Sequence, residues 1–132
     1  MAPMSTIDPS RWVRRIFLAA GIYGLIVLLP LYGTEPMLVH LGRPPLDHPE
    51  YFYGFIGAAS VMQILYLIIA RDPRRYRPMM LVGIFGKLGY GVPVVSLFAL
   101  GRIDALTFWI SMPDLVWAAL FAFAWRMTRD PG

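Results

Sequence analysis

The chain has 132 residues, of which 58% are hydrophobic, against about 45–50% for a typical soluble domain. With no cysteine it forms no disulfide, holds no metal through thiolates and has no thiol nucleophile. The formal net charge of +4 comes from basic residues flanking apolar stretches, a topology pattern and not a recognition patch, so no nucleic-acid partner is expected.

The apolar excess falls in four blocks, 16–32, 52–70, 79–100 and 105–125. Each is close to the ~20 residues that a helix needs to cross ~30 Å of hydrocarbon. This pattern predicts an all-α fold, an integral membrane four-helix bundle that forms a single transmembrane domain over 1–132. The helices are expected over about 14–32, 52–70, 78–100 and 104–126.

Arg11, Arg14 and Arg15 precede the first block, as in a secretory signal. The block ends in Leu29-Pro30-Leu31-Tyr32-Gly33, without a small-x-small cleavage site, so the helix is expected to stay uncleaved. The outer loop, 33–51, is the long one. In it Thr34-Glu35-Pro36 is a helix-start signal, and Met37, Leu38, Val39 and Leu41 predict a short interfacial helix that Gly42-Arg43-Pro44-Pro45 ends. Asp47-His48-Pro49-Glu50 then reads as the start of helix two, with Asp47 as its cap. The loop also holds His40, His48, Glu35, Asp47 and Glu50, but their spacing matches no metal motif. Neither a metal nor a cofactor is expected.

The second loop, Arg71-Asp72-Pro73-Arg74-Arg75-Tyr76-Arg77-Pro78, is a tight basic turn. Its arginines read first as topology signals. Arg71, Arg74, Arg75 and Arg77 are also candidates for anionic lipid headgroups, each worth about 1 kcal/mol near the surface. Gly101-Arg102-Ile103-Asp104 is a minimal outer link. Links this short make consecutive helices antiparallel neighbours.

Arg11, Arg14, Arg15, Arg71, Arg74, Arg75, Arg77, Arg126 and Arg129 fall on one side, against Arg43 and Arg102 on the other. The positive-inside rule places both termini in the cytoplasm. One lysine against eleven arginines suits a GC-rich bacterial genome, hence a bacterial inner membrane. Trp12, Tyr32, Tyr51, Tyr53, Tyr76 and Trp125 sit at block ends, where amphipathic rings prefer the interface.

The single lysine, Lys87, lies inside the third block. A charge at that depth costs roughly 3 kcal/mol on insertion scales. Lys87 is nine residues past Pro78, ~14 Å deep, and Asp114 is ten residues past Asp104, ~15 Å deep. The two lie within ~4.5 Å of one level, which a lysine stem spans. Gln63, Tyr66 and Tyr90 fall at a similar depth, with Tyr23 of helix one a further candidate. Pro93 and Pro113 free the carbonyls of Gly89 and Trp109, for which Lys87, Gln63 or a water is an available donor. Glycines at 83, 86, 89 and 91 remove bulk around Lys87.

Two readings of this layer stand. One is a structural pair that locks the bundle or a contact to another protein. The other is a binding cavity or proton-handling site, since intramembrane charges are functional hypotheses by default. No catalytic residue is assigned, because no further acid, base or nucleophile motif accompanies Lys87.

Tyr76-Arg77-Pro78-Met79-Met80-Leu81-Val82, then Lys87, Gly101-Arg102 and Asp114, resemble a group of small four-helix bacterial membrane proteins, similar in size and layout to the DoxX-like families. The resemblance covers mainly the second half of the chain and implies a four-helix bundle, with no established activity. In those relatives an acid often precedes the lysine; here that position is Gly86.

From size, short loops and the missing catalytic set, the leading expectation is a non-catalytic accessory or structural subunit. It would pack against membrane lipid or quinone and other membrane proteins, or form a homo-oligomer. The alternative is a stand-alone binder, carrier or enzyme for a lipophilic small molecule, using the Gln63, Lys87 and Asp114 layer.

Overall fold

The computed structural model describes residues 9–130, which are helical with no strand among them. In chain order they form α1 (Pro9–Leu28), a 3-10 turn (Leu29–Gly33), α2 (Thr34–His40), α3 (Pro49–Arg71), α4 (Arg77–Ala99), α5 (Ala105–Ser111) and α6 (Pro113–Met127). Four helical spans are long and apolar enough to cross a membrane: Pro9–His40, Pro49–Arg71, Arg77–Ala99 and Ala105–Met127. The chain ends, assigned to the cytoplasm by charge, begin and finish outside the described residues.

Prolines set where helices start and where they change. Pro49 and Pro113 open α3 and α6, and Pro78 sits in the first turn of α4, positions where the missing N–H is harmless. Pro30 removes an α-helical donor, and there α1 gives way to the 3-10 turn, earlier than the expected end near residue 32. The fourth span is not one continuous helix. It breaks at Met112, whose N–H turns back to the Trp109 carbonyl at 3.4 Å. That carbonyl, expected to need Lys87, Gln63 or water, is therefore served by the backbone. Pro93 sits inside α4 without ending it.

Two Gly-Arg pairs terminate helices in the same way. Gly42 and Gly101 have φ of 85° and 70°, a conformation that a side chain disfavours. After each, the arginine N–H returns to a carbonyl of the last turn: Arg43 to Leu38 at 2.9 Å and Arg102 to Leu97 at 2.8 Å. The expected stop at Gly42-Arg43 is thus present, and α2 is exposed along most of its length. The cap of α3 is His48 rather than Asp47, because Pro49 takes the first helical position. The aspartate that does cap a helix is Asp104, which accepts from the Thr107 N–H at 2.9 Å. Hydrogen bonds from the Thr107 side chain and backbone hold its carboxyl below the ordinary range.

Packing is uneven along the bundle. α1 lies on α3 and α4 lies on α6, and these pairs join through α1 with α6 and α3 with α4. The core gathers at the end bearing the 71–77 loop, called here the basic end. Val13, Phe17, Ala20, Tyr66, Ile69, Met80, Phe121 and Ala124 are buried there. Phe17 stacks on Phe121 with centroids 4.4 Å apart, and Tyr66 tilts against Phe121 at 4.8 Å. Toward the far end α5 lies beside α4 and α6, and no Cα of it comes within 8 Å of one in α1 or α3. Outward-facing side chains such as Phe85, Trp109 and Ile110 are about two-thirds exposed, as suits a surface facing hydrocarbon.

Candidate functional site

Where the helix pairs part, a partly open cavity of about 250 Å³ lies between them. Its polar wall comes from α3, α4, α5 and α6: Gln63, Tyr66, Lys87, Tyr90, Ser111 and Asp114. Tyr23 and Gly24 of α1 complete it. Every residue that the sequence placed in the mid-depth layer therefore faces one space.

Lys87 and Asp114 meet. Nζ donates to Asp114 Oδ1 at 2.7 Å, across 27 residues of chain. Lys87 is 8% exposed, so its charge is carried inside the protein. Two further features favour the pair. Asp114 falls in the first turn of α6, where unpaired N–H groups and the helix dipole stabilise a carboxylate. The Lys87 ammonium also lies 5.5 Å from the Tyr66 ring centroid, over its electron-rich face. The break at Met112 is what makes a helix start available at this depth. Such interrupted helices are tolerated in membranes where the freed groups face protein or a cavity.

Gln63 is in the layer but does not bond to the pair. Its Nε2 donates to the Ala59 carbonyl one turn back, at 2.9 Å. That bond fixes the amide and leaves Oε1 against Gly24 of α1; a Cβ at Gly24 would collide with the Gln63 amide. Gln63 is 3% exposed, and Oε1 accepts no hydrogen bond from the described residues. Neither Gln63 nor Lys87 bonds to the Gly89 carbonyl: Gln63 Nε2 donates to Ala59 and Lys87 Nζ to Asp114.

Tyr90 reaches Ser111, with its hydroxyl 3.0 Å from Oγ. Ser111 spends its one proton on the Thr107 carbonyl at 2.8 Å, so Tyr90 is the donor in the first bond. Ser111 was missed in the sequence. Its signal was a hydroxyl two residues before a proline inside an apolar span. Gly24 was missed as well, because its partner lies on another helix.

The glycines near Lys87 have different uses. Gly83 lies against Tyr66 and Phe121, Gly86 against Met62, and Gly91 against Leu115, while a Cβ on Gly89 would meet only open space. Tyr23 packs on Trp117 at 5.9 Å, between the cavity and the aromatic core. Trp117 is half-buried and Trp109 faces outward.

The sites expected elsewhere divide. Arg71, Arg74 and Arg75 are exposed. Arg77, grouped with them by sequence, turns inward instead: it donates to the Trp125 carbonyl at 2.9 and 3.2 Å and lies 4.2 Å from the Trp125 ring centroid. It thereby satisfies a carbonyl at the end of α6. In the far loop Glu35 accepts from the Leu46 N–H at 3.1 Å and His48 pairs with Glu50 at 3.3 Å. Among the described residues, no three acidic or histidine side chains converge as metal ligands do.

Compared with protein-family models, with curated proteins and with solved structures, the chain matches none.

Proposed function

We propose that the protein crosses a bacterial inner membrane four times, with the basic end in the cytoplasm, and binds a small lipophilic molecule at its mid-depth polar layer. One observation carries this reading: a cavity of about 250 Å³ on which Gln63, Lys87, Asp114, Tyr66 and Tyr90 converge. A structural ion pair alone needs no space beside it. An engineered apolar cavity of about 150 Å³ holds benzene, so this one has room for a single ring or a compact polar head. Ligand sites are typically apolar concavities with a few placed polar groups, which describes this wall.

We read no reaction into the layer. Its one cation and one anion are paired with each other, and the cavity favours a binder over the accessory subunit expected from size alone. Mass spectrometry on protein extracted from native membranes, reporting proteins and small molecules together, separates the two. The binder reading predicts a small molecule retained by the wild type and lost from a folded Lys87→Met variant. Retention unchanged in Lys87→Met contradicts it. A stoichiometric protein partner without a small molecule points to the accessory subunit.

A further inference from the structure

We infer that the ligand class is a neutral amphiphile whose head carries a hydroxyl group, with an apolar tail that leaves between α1 and α5. The inference rests on the binding reading above and deepens it. Hydrogen-bond counting around the cavity gives the head. Tyr90 gives its proton to Ser111, which leaves its oxygen lone pairs for another donor. Asp114 uses one oxygen on Lys87, and its other oxygen makes no hydrogen bond within the described residues. Against these acceptors the wall offers the remaining N–H groups of Lys87 and the Tyr66 hydroxyl.

A head complementary to this wall donates at least one hydrogen bond and accepts one. The wall charges cancel, so an added anion meets Asp114, and an added cation meets Lys87, without a counter-charge to spare. A group that only accepts, such as an ester, leaves the Tyr90 oxygen and the second Asp114 oxygen unpaired, and acceptors left unpaired are what a polar site discriminates against most strongly. The tail follows from packing. No Cα of α5 lies within 8 Å of one in α1 or α3, and Val27 of α1 and Ile110 of α5 both line the cavity, which gives the tail a route between these two helices. Both are apolar and exposed. Phe55 of α3 stacks on Tyr90 of α4 at 5.5 Å and links those two helices beside the cavity.

Four probes with one chain length isolate the head: monooleoylglycerol, methyl oleate, oleate and oleylamine. Each is titrated into detergent-solubilised wild-type protein and followed by native mass spectrometry. Monooleoylglycerol should bind one molecule per chain, at least about tenfold more tightly than the other three. Tyr90→Phe should reduce that preference while helicity is kept. Equal binding of methyl oleate, or tighter binding of oleate or oleylamine, overturns the hydroxyl class. If that binding is still blocked by Ala59→Phe, which fills the cavity, the site itself stands. If none of the four binds the wild type, the ligand class falls, and the native-membrane extraction decides on the site independently. A preference unchanged in Tyr90→Phe also overturns the inference.

Discussion

At the basic end Phe17 and Phe121 stack at 4.4 Å and draw the first and fourth spans together. Farther along the same two spans, α1 and α5 stand farther apart, with no Cα pair within 8 Å. The difference lies in side chains and in one backbone break. The basic end is filled by aromatic rings and sealed by Arg77 on the Trp125 carbonyl and by Thr128, which donates to the Ala124 carbonyl at 2.9 Å. The far half has polar groups, the glycine at 24 and an interrupted helix. In lipid, no hydrophobic force drives helices together, so they close where shapes interlock and stay apart where they do not. A packed half can therefore hold the bundle while the other half keeps a space.

That comparison can be broken from either side. The largest loss is expected from Phe121→Ala, which removes the ring shared by Phe17, Tyr66 and Trp117. It should cost about 3–5 kcal/mol in detergent unfolding assays. Truncating Ile110 at the cavity mouth should cost far less. If the two truncations cost the same, the halves are not different in kind.

Next in size is Lys87→Met, which leaves a carboxylate without its cation and should cost about 3 kcal/mol. Adding Asp114→Leu should recover much of that loss, because no lone charge remains. A double-mutant cycle measures the coupling; additive losses mean that the pair contributes nothing as a pair.

Gly24→Ala tests the cavity wall. The new methyl group displaces the Gln63 amide from its bond to Ala59, with an overpacking cost of about 1–3 kcal/mol. Ligand retention should fall more than stability does. The smallest effect belongs to Tyr90→Phe. Intramembrane hydrogen bonds average about 0.6 kcal/mol, so its unfolding free energy should change by about that amount.

Legibility in the sequence followed the same division. A charge inside an apolar run stands out, and the 1.5 Å rise per residue converts position into depth, so the sequence alone suffices to pair Lys87 with Asp114. The four spans were legible for the same reason, since hydrocarbon thickness fixes their length. What stayed hidden depends on contacts distant in the chain. Arg77 looked like its three neighbouring arginines, and its partner Trp125 lies 48 residues away. Gly24 resembles any small residue in the sequence, because Gln63, which packs against it, belongs to another helix. Pro93 and Pro113 read alike, yet of their two spans only the fourth breaks. There the new helix start supports the Asp114 carboxylate, and α4 has no such charge at Pro93.

The central claim is that the space beside the ion pair is what the protein uses. Ala59→Phe tests it most directly, because it fills the cavity, leaves both charges in place and keeps the backbone carbonyl that Gln63 needs. The measurement is the small-molecule content of wild-type and Ala59→Phe protein extracted from native membranes, by mass spectrometry, alongside their unfolding temperatures. The account predicts that the variant stays folded with an unfolding temperature close to that of the wild type and emerges without the bound molecule. Ala59→Phe protein that folds and still retains it would contradict the account.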